Sequence, residues 1–264
     1  MLTIDLSGRR ALVTGVSSGI GAGLALALAQ AGCDVAGCGL ERNDSAGAQR
    51  FVARAAELGR RAVYQAVDLS AAAAVRAFVD WAAAQLGGLD YVISNAGANF
   101  FPGAADCTEA EWQLNLDLNL AAHWRLAQAA KPYLDRAEQP VIVIMTSNQA
   151  YRTMPRAFPY NVAKAALLGL VQSLALEWGP HVRTVGMAPG YIDTPMNAAL
   201  FDASPDPAAS RAQVERLHPV GRLGTPEEVG ALGAFLCSPL AGFISGSTVL
   251  IDGGRSAVLQ DAAV

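Results

Sequence analysis

Short β-branched or apolar runs alternate with longer helical segments along the whole chain, and this alternation limits the fold more than any other feature. The runs are Ala11–Thr14, Val35–Cys38, Ala62–Val67, Tyr91–Ser94, Val141–Met145, Thr184–Met187 and Thr248–Ile251. Between them, Ile20–Ala31, Ser45–Leu58, Ala71–Leu86, Glu109–Leu134, Val162–Trp178 and Pro226–Leu236 are each long enough for a helix. Gly32 closes the first helix, and Thr225-Pro226 opens the last. Strands that are apolar throughout must be covered on both faces, and a helix between successive strands makes them parallel. The pattern predicts a single α/β domain over residues 1–264, a doubly wound parallel sheet of about seven strands with helices on both sides.

Composition narrows the partners. Of the 264 residues 52% are apolar and only 16% charged, which excludes a disordered chain. Nineteen Lys and Arg against 23 Asp and Glu leave no basic excess, so no nucleic-acid partner is expected. Two stretches of 23 residues, Ala11–Cys33 and Val229–Ile251, lack charge and match the bilayer in length. Serines and glycines break the first and Ser238-Pro239 and Ser245–Ser247 the second, so no membrane span is expected. Met1–Asp5 shows no basic n-region before an apolar run, and Cys33, Cys38, Cys107 and Cys237 show no CxxC spacing. Free thiols in a reducing cytoplasm are therefore expected. His123, His181 and His218 match no ligand motif, so no metal site is expected. The shortage of charge is left to burial in the core or between subunits.

Chemistry concentrates in a few places. The first strand runs into Thr14-Gly15-Val16-Ser17-Ser18-Gly19-Ile20-Gly21, and a helix follows at once. Glycines there permit a tight turn and close approach of the backbone to a pyrophosphate, with the helix N-terminus supplying N–H groups. The spacing differs from GxGxxG. Asp68 stands at the end of the third strand, placed either to accept from an adenine amino group or to cap the helix that follows. Tyr160 and Lys164 lie four apart on one helix face, where a cation favours ionisation of a phenol whose free pKa is about 10. Ser147, thirteen residues earlier at the end of the fifth strand, is either a turn residue or a second group on the same substrate oxygen.

Taken together, Thr14-Gly15-(three residues)-Gly19-Ile20-Gly21, Asn95-Ala96-Gly97, Ser147, Tyr160-(three residues)-Lys164 and Pro189-Gly190 resemble the short-chain dehydrogenase/reductase family from about Leu6 to Gly254. The resemblance implies a Rossmann-type fold and hydride transfer between NAD or NADP and a secondary alcohol or ketone. It assigns Gly15, Ser17, Ser18 and Ile20 to the dinucleotide phosphates, and Gly39, Leu40, Asp68 and Leu69 to the adenosine end. Asn95, Ala96 and Gly97 support the sheet and approach the ribose, with Ser94 where relatives often carry a second Asn. Pro189, Gly190, Ile192 and Thr194 lie beside the nicotinamide. Tyr160 becomes the general acid/base, Lys164 the group that lowers its pKa and binds ribose, and Ser147 the group that orients the substrate oxygen. Asn119, with Asn115 as competitor, supports a proton-relay water.

The finer readings follow from that resemblance. The acidic and basic signals of cofactor choice fall on Gly39 and Leu40 and are absent; Glu41 repels a 2′-phosphate, Arg42 attracts one, and NAD is the expected cofactor. Asn99, Phe100, Asn148, Gln149, Arg152, Arg156, Tyr191 and Met196 are the expected substrate contacts. Arg156 is either a surface residue or a clamp for a carboxylate. With the stretch Ala27–Val35, it resembles sugar-acid dehydrogenases and points to a sugar, polyol or deoxy sugar acid. The alternatives are a 3-oxoacyl-acyl carrier protein reductase, docking through Lys131 and Arg136, and a non-catalytic dinucleotide sensor. Asn197–Ser210 reads as a loop, either plain surface or part of a substrate lid near 195–215. A homotetramer is expected, pairing Glu109–Leu134 and Val162–Trp178 and, at a second contact, the last strand and the tail after Gly254.

Overall fold

The computed structural model describes residues 3–258; part of the tail assigned to the second subunit contact lies outside them. The strands are β1 (Arg10–Thr14), β2 (Asp34–Gly39), β3 (Ala62–Ala66), β4 (Tyr91–Ser94), β5 (Val141–Met145), β6 (Arg183–Pro189) and β7 (Thr248–Ile251). They form one sheet in the order β3-β2-β1-β4-β5-β6-β7, with every neighbouring pair parallel. Side-chain alternation divides each strand between two cores. Val141, Val143 and Met145 of β5 enter one, and Ile142 and Ile144 the other.

The helices close those cores. The helices α1 (Gly19–Gln30), α2 (Ala46–Glu57) and α9 (Pro226–Cys237) cover the first face through Leu24, Leu28, Phe51 and Leu236. On the second, α3 (Ala72–Leu86), α5 (Ala122–Leu134) and α6 (Tyr160–Trp178) contribute Phe78, Leu126, Leu134, Leu167 and Val171. Burying both faces accounts for much of the apolar composition. No helix among the described residues is long and apolar enough to cross a membrane.

Two segments depart from the expected pattern. The single helix expected over Glu109–Leu134 is divided into α4 (Glu109–Leu116), a π-helical turn at Asp117–Ala121, and α5. The wider turn carries Asn119, whose side chain bonds the backbone of Ala98 through both its amide nitrogen and oxygen. Most of the expected loop at Asn197–Ser210 is helical, in α7 (Pro195–Asp202) and α8 (Pro207–Arg216), with only 203–206 between them. Pro195 and Pro207 are first-turn residues there, and Thr194 and Asp206 cap the two N-termini. A proline that reads as a loop former initiates a helix when a capping residue precedes it.

Candidate active site

Connections from β1 and β4 leave in opposite directions along the sheet, and a cleft of about 450 Å³ opens at the carboxyl ends of the strands. Its first half is built from backbone. Gly15 takes φ +78°, and α1 begins at Gly19 with no acidic residue in its first turn. Ser18, the N-cap, makes no side-chain cap bond, which leaves the helix N–H groups for an anion. A Cβ on Gly21 would lie 2.0 Å from the Gly15 carbonyl oxygen, so a side chain there would fill the cradle. Thr194, which caps α7, faces Gly19 across the turn. Thr14 Oγ1 accepts from the N–H groups of Asn95 and Ala96 at 2.9 Å, fixing β4 against β1 beneath the cradle. A cradle of this kind at a helix end suits an anion, and together with the cleft into which it opens it fits a dinucleotide.

The structure brings every residue assigned to the cofactor to this cleft, from Gly15, Ser17, Ser18 and Ile20 through Gly39, Leu40, Asp68, Leu69, Asn95, Ala96 and Gly97 to Pro189, Gly190, Ile192 and Thr194. Asp68 also serves its neighbour: Oδ1 accepts from the N–H and hydroxyl of Ser70. Glu41 lines the cleft as well, its Oε2 accepting from Ser17 Oγ at 2.6 Å. A Cβ on Gly39 would come within 2.8 Å of that same oxygen, so the glycine makes room for the carboxylate to fold inward. Arg42 points outward, 86% exposed and paired with Asp44 at 3.0 Å.

Ser147, Tyr160 and Lys164 meet in the other half. Ser147 ends the strand region of β5, and its Oγ accepts from the N–H of Gln149 at 3.1 Å. Tyr160 starts α6, two residues earlier than the sequence suggests, so it projects from the helix end nearest the sheet crevice. Lys164 is buried one turn on, its Nζ donating to Met145 O at 3.0 Å and standing 5.6 Å from the Tyr160 ring centre. Burial pushes the Tyr160 phenol up to about 12, and a hydrogen bond with the Ser147 hydroxyl draws it back down. Burial lowers Lys164 to about 7, so near neutrality it is only partly charged.

Asn119 and Asn115, weighed as alternatives, work as a pair. Both are fully buried, and Asn119 Nδ2 donates to Asn115 Oδ1 at 2.9 Å. Asn115 Nδ2 in turn donates at 3.1 Å to the carbonyl of Pro159, the residue before Tyr160. Ser94, in the place of the family's frequent Asn, shares a 2.7 Å hydrogen bond with buried His123. Burial first, then the Lys164 charge, holds that histidine neutral. No cluster of metal-ligating residues occurs among the described residues.

On the substrate side, Asn99, Asn148, Gln149, Tyr191 and Met196 line the cleft, whereas Phe100, Arg152 and Arg156 do not. Arg156, at φ +67°, directs Nη2 to Pro102 O at 3.0 Å and lies 3.8 Å from Asp106. Arg152 donates to the carbonyl of Tyr151. Sequence reading missed Phe101, Leu118, Asn197 and Leu200, which complete the walls. Phe101 meets the Tyr160 ring edge-on at 5.4 Å. Leu200 carried a readable signal, standing one helical turn after Met196.

Comparison with known proteins agrees with this geometry. A family model described as enoyl-(acyl carrier protein) reductase matches residues 15–256. The chain is 35% identical to 3beta-hydroxysteroid dehydrogenase 1 of Eggerthella lenta over 96% of its length and 95% of that protein. It is 29% identical to 2-dehydro-3-deoxy-D-gluconate 5-dehydrogenase of Dickeya dadantii, over 96% and 97%. The solved structure of a short-chain dehydrogenase/reductase from Serratia marcescens BCRC 10948 superposes with a TM-score of 0.87 at 30% identity, covering 95% of this chain and 99% of that one. The chain belongs to the short-chain dehydrogenase/reductase family and is an oxidoreductase that acts on secondary alcohols with a nicotinamide cofactor.

Proposed function

We propose that the protein interconverts a secondary alcohol and its ketone with NAD, using Tyr160 as the general acid/base. The observation that carries this reading is the convergence of Ser147, Tyr160 and Lys164 in the cleft that the glycine cradle opens. The nicotinamide supplies the hydride acceptor or donor. Ser147 Oγ and Tyr160 Oη hold the substrate oxygen, and the phenol gives or takes its proton. A phenol at about 12 gives up its proton reluctantly and is scarcely ionised near neutrality, so a cation beside it is needed to bring proton transfer toward neutral pH. Lys164, which titrates near 7, is the resident group that supplies that charge. Asn119 positions this assembly through Ala98 and Asn115.

NAD is favoured by Glu41. Its carboxylate faces the adenosine end, held by Ser17, where it can accept from ribose hydroxyls and repels a 2′-phosphate. Arg42, the one neighbour that would attract a phosphate, is turned away and paired. Initial rates with NAD and NADP, repeated in Tyr160→Phe, test the reading. NAD turnover that falls by about a thousandfold in the variant is expected; NADP-only turnover or an active variant contradicts it.

Assembly and location follow from the surface. Leu176 on α6 is 84% exposed, and Leu114, Trp124 and Leu250 stand exposed on the elements expected to pair. Covering them in a homotetramer is the proposed state, read by light scattering. Free Cys33, Cys38 and Cys237, all buried, suit a cytoplasmic protein. The capped helix α7 borders the cleft through Met196 and Leu200, and with α8, which follows it, is the proposed lid.

A further inference from the structure

We infer that the physiological substrate is uncharged: a secondary alcohol or ketone with an apolar, ring-sized body that lies against the inner face of α7. The inference rests on the proposed catalytic reading of the cleft and names its substrate class.

Charge is the first observation. Among the described residues, the only carboxylates and cations lining the cleft are Glu41 and Asp68 at the adenosine end and Lys164 at the reaction centre. Lys164 is committed to Met145 O and is buried. The guanidinium groups described around the cleft do not line it. Arg156 serves Pro102 O, Arg152 serves Tyr151 O, and Arg211 is clamped between Asp193 at 2.7 Å and Glu215 at 3.0 Å. Arg222 pairs with Glu228, and Arg255 stacks on Tyr191, 4.7 Å from its ring centre; the Arg255 Nη1 is buried without a hydrogen-bond partner, but the residue does not line the cleft. A carboxylate or phosphate entering this half would lose water and meet no cation but Lys164, which already donates to Met145 O.

Apolar surface is the second. Phe101 presses on Tyr160, and Leu118 flanks Asn119 on the π-helical turn. Met196 and Leu200, one turn apart on α7, line the cleft yet remain 50% and 43% exposed. Side chains of that kind gain by covering an apolar ligand and gain nothing from a polyol. Asn99 and Gln149 add neutral amides, which orient a ligand without demanding charge.

A matched pair of substrates tests this: 4-tert-butylcyclohexanol and 4-hydroxycyclohexanecarboxylate, with NAD as acceptor and the full chain as enzyme. The neutral alcohol is expected to have a kcat/KM larger by about a hundredfold. Leu200→Arg is expected to move the ratio toward the acid by about tenfold or more, by placing a cation on the apolar wall. A carboxylate used equally well or better, or a ratio unmoved in that variant, overturns the inference. Calorimetric titration of 4-tert-butylcyclohexanone and 4-oxocyclohexanecarboxylate onto the enzyme with NADH separates this claim from the catalytic one. Binding of the neutral ketone alone without turnover supports the substrate class and counts against the chemistry assigned to Tyr160. Equal binding of the keto acid, or binding of neither, overturns the substrate class.

Discussion

The two halves of the cleft are made differently. The cofactor half is backbone: a positive-φ glycine, the N-terminus of α1, strand ends and the Thr14–Asn95 stitching. The substrate half is side chain, with Phe101, Leu118, Met196 and Leu200 standing on a loop, a π-helical turn and a short helix. Backbone requirements admit few residue types, so the first half leaves little room for change. Apolar side chains on short elements are interchangeable, so the second half can be remodelled without loss of the fold.

Lys164 joins the halves, and its replacement carries the largest expected effect. Lys164→Met is predicted to lower kcat by about a hundredfold or more, because the phenol loses its nearby cation. The same change stabilises the fold. The unfolded lysine keeps its proton up to 10.5 and the folded one only to about 7, so the wild type gains stability as pH rises through that window. The variant is therefore expected to be the more stable near pH 7, less the cost of leaving Met145 O without its donor, by a gap that narrows by pH 9.5, read by denaturant titration at each pH. Next in size, Glu41→Ala is predicted to cost about tenfold in kcat/KM with NAD and to gain with NADP. If both cofactors lost equally, Glu41 would be a structural partner of Ser17 alone.

Much of the first half is legible in the sequence, since Gly15, Gly19 and Gly21 answer a steric demand that no other residue meets. The inner strands are legible for a similar reason, since burial on both faces forces continuous apolar runs; the edge strands β3 and β7 are only partly buried. Other features have no such signature. The π-helical turn at Asp117–Ala121 exists to serve Ala98, a long-range contact that helical periodicity does not record. Thr194-Pro195 and Asp206-Pro207 open helices in a stretch whose prolines and small residues resemble a loop. Arg156 has the chemistry of a carboxylate clamp, but its φ of +67° swings the side chain onto Pro102. Phe101 directly follows Phe100 in a loop, and without a periodic element nothing in the sequence tells which of the two aromatics lines the cleft.

Smaller changes sharpen the same contrast. Asn115→Ala removes the bond to the Pro159 carbonyl and leaves Asn119 short of a partner; about 1–3 kcal/mol of stability is expected to go, with a fall in kcat and little change in the KM for NAD. Arg156→Ala is expected to leave kcat/KM within about twofold for every substrate, since the guanidinium lies outside the cleft and on the surface.

The division between the halves is tested most directly by titrating NADH, followed by its fluorescence, into Gly21→Ala and Leu200→Ala. A Cβ at position 21 collides with the Gly15 carbonyl, so the first variant is expected to lose about a hundredfold in affinity. Leu200→Ala trims only the lid face and is expected to hold NADH within about threefold of the wild type. Equal losses in the two variants, or a greater loss in Leu200→Ala, would contradict the account.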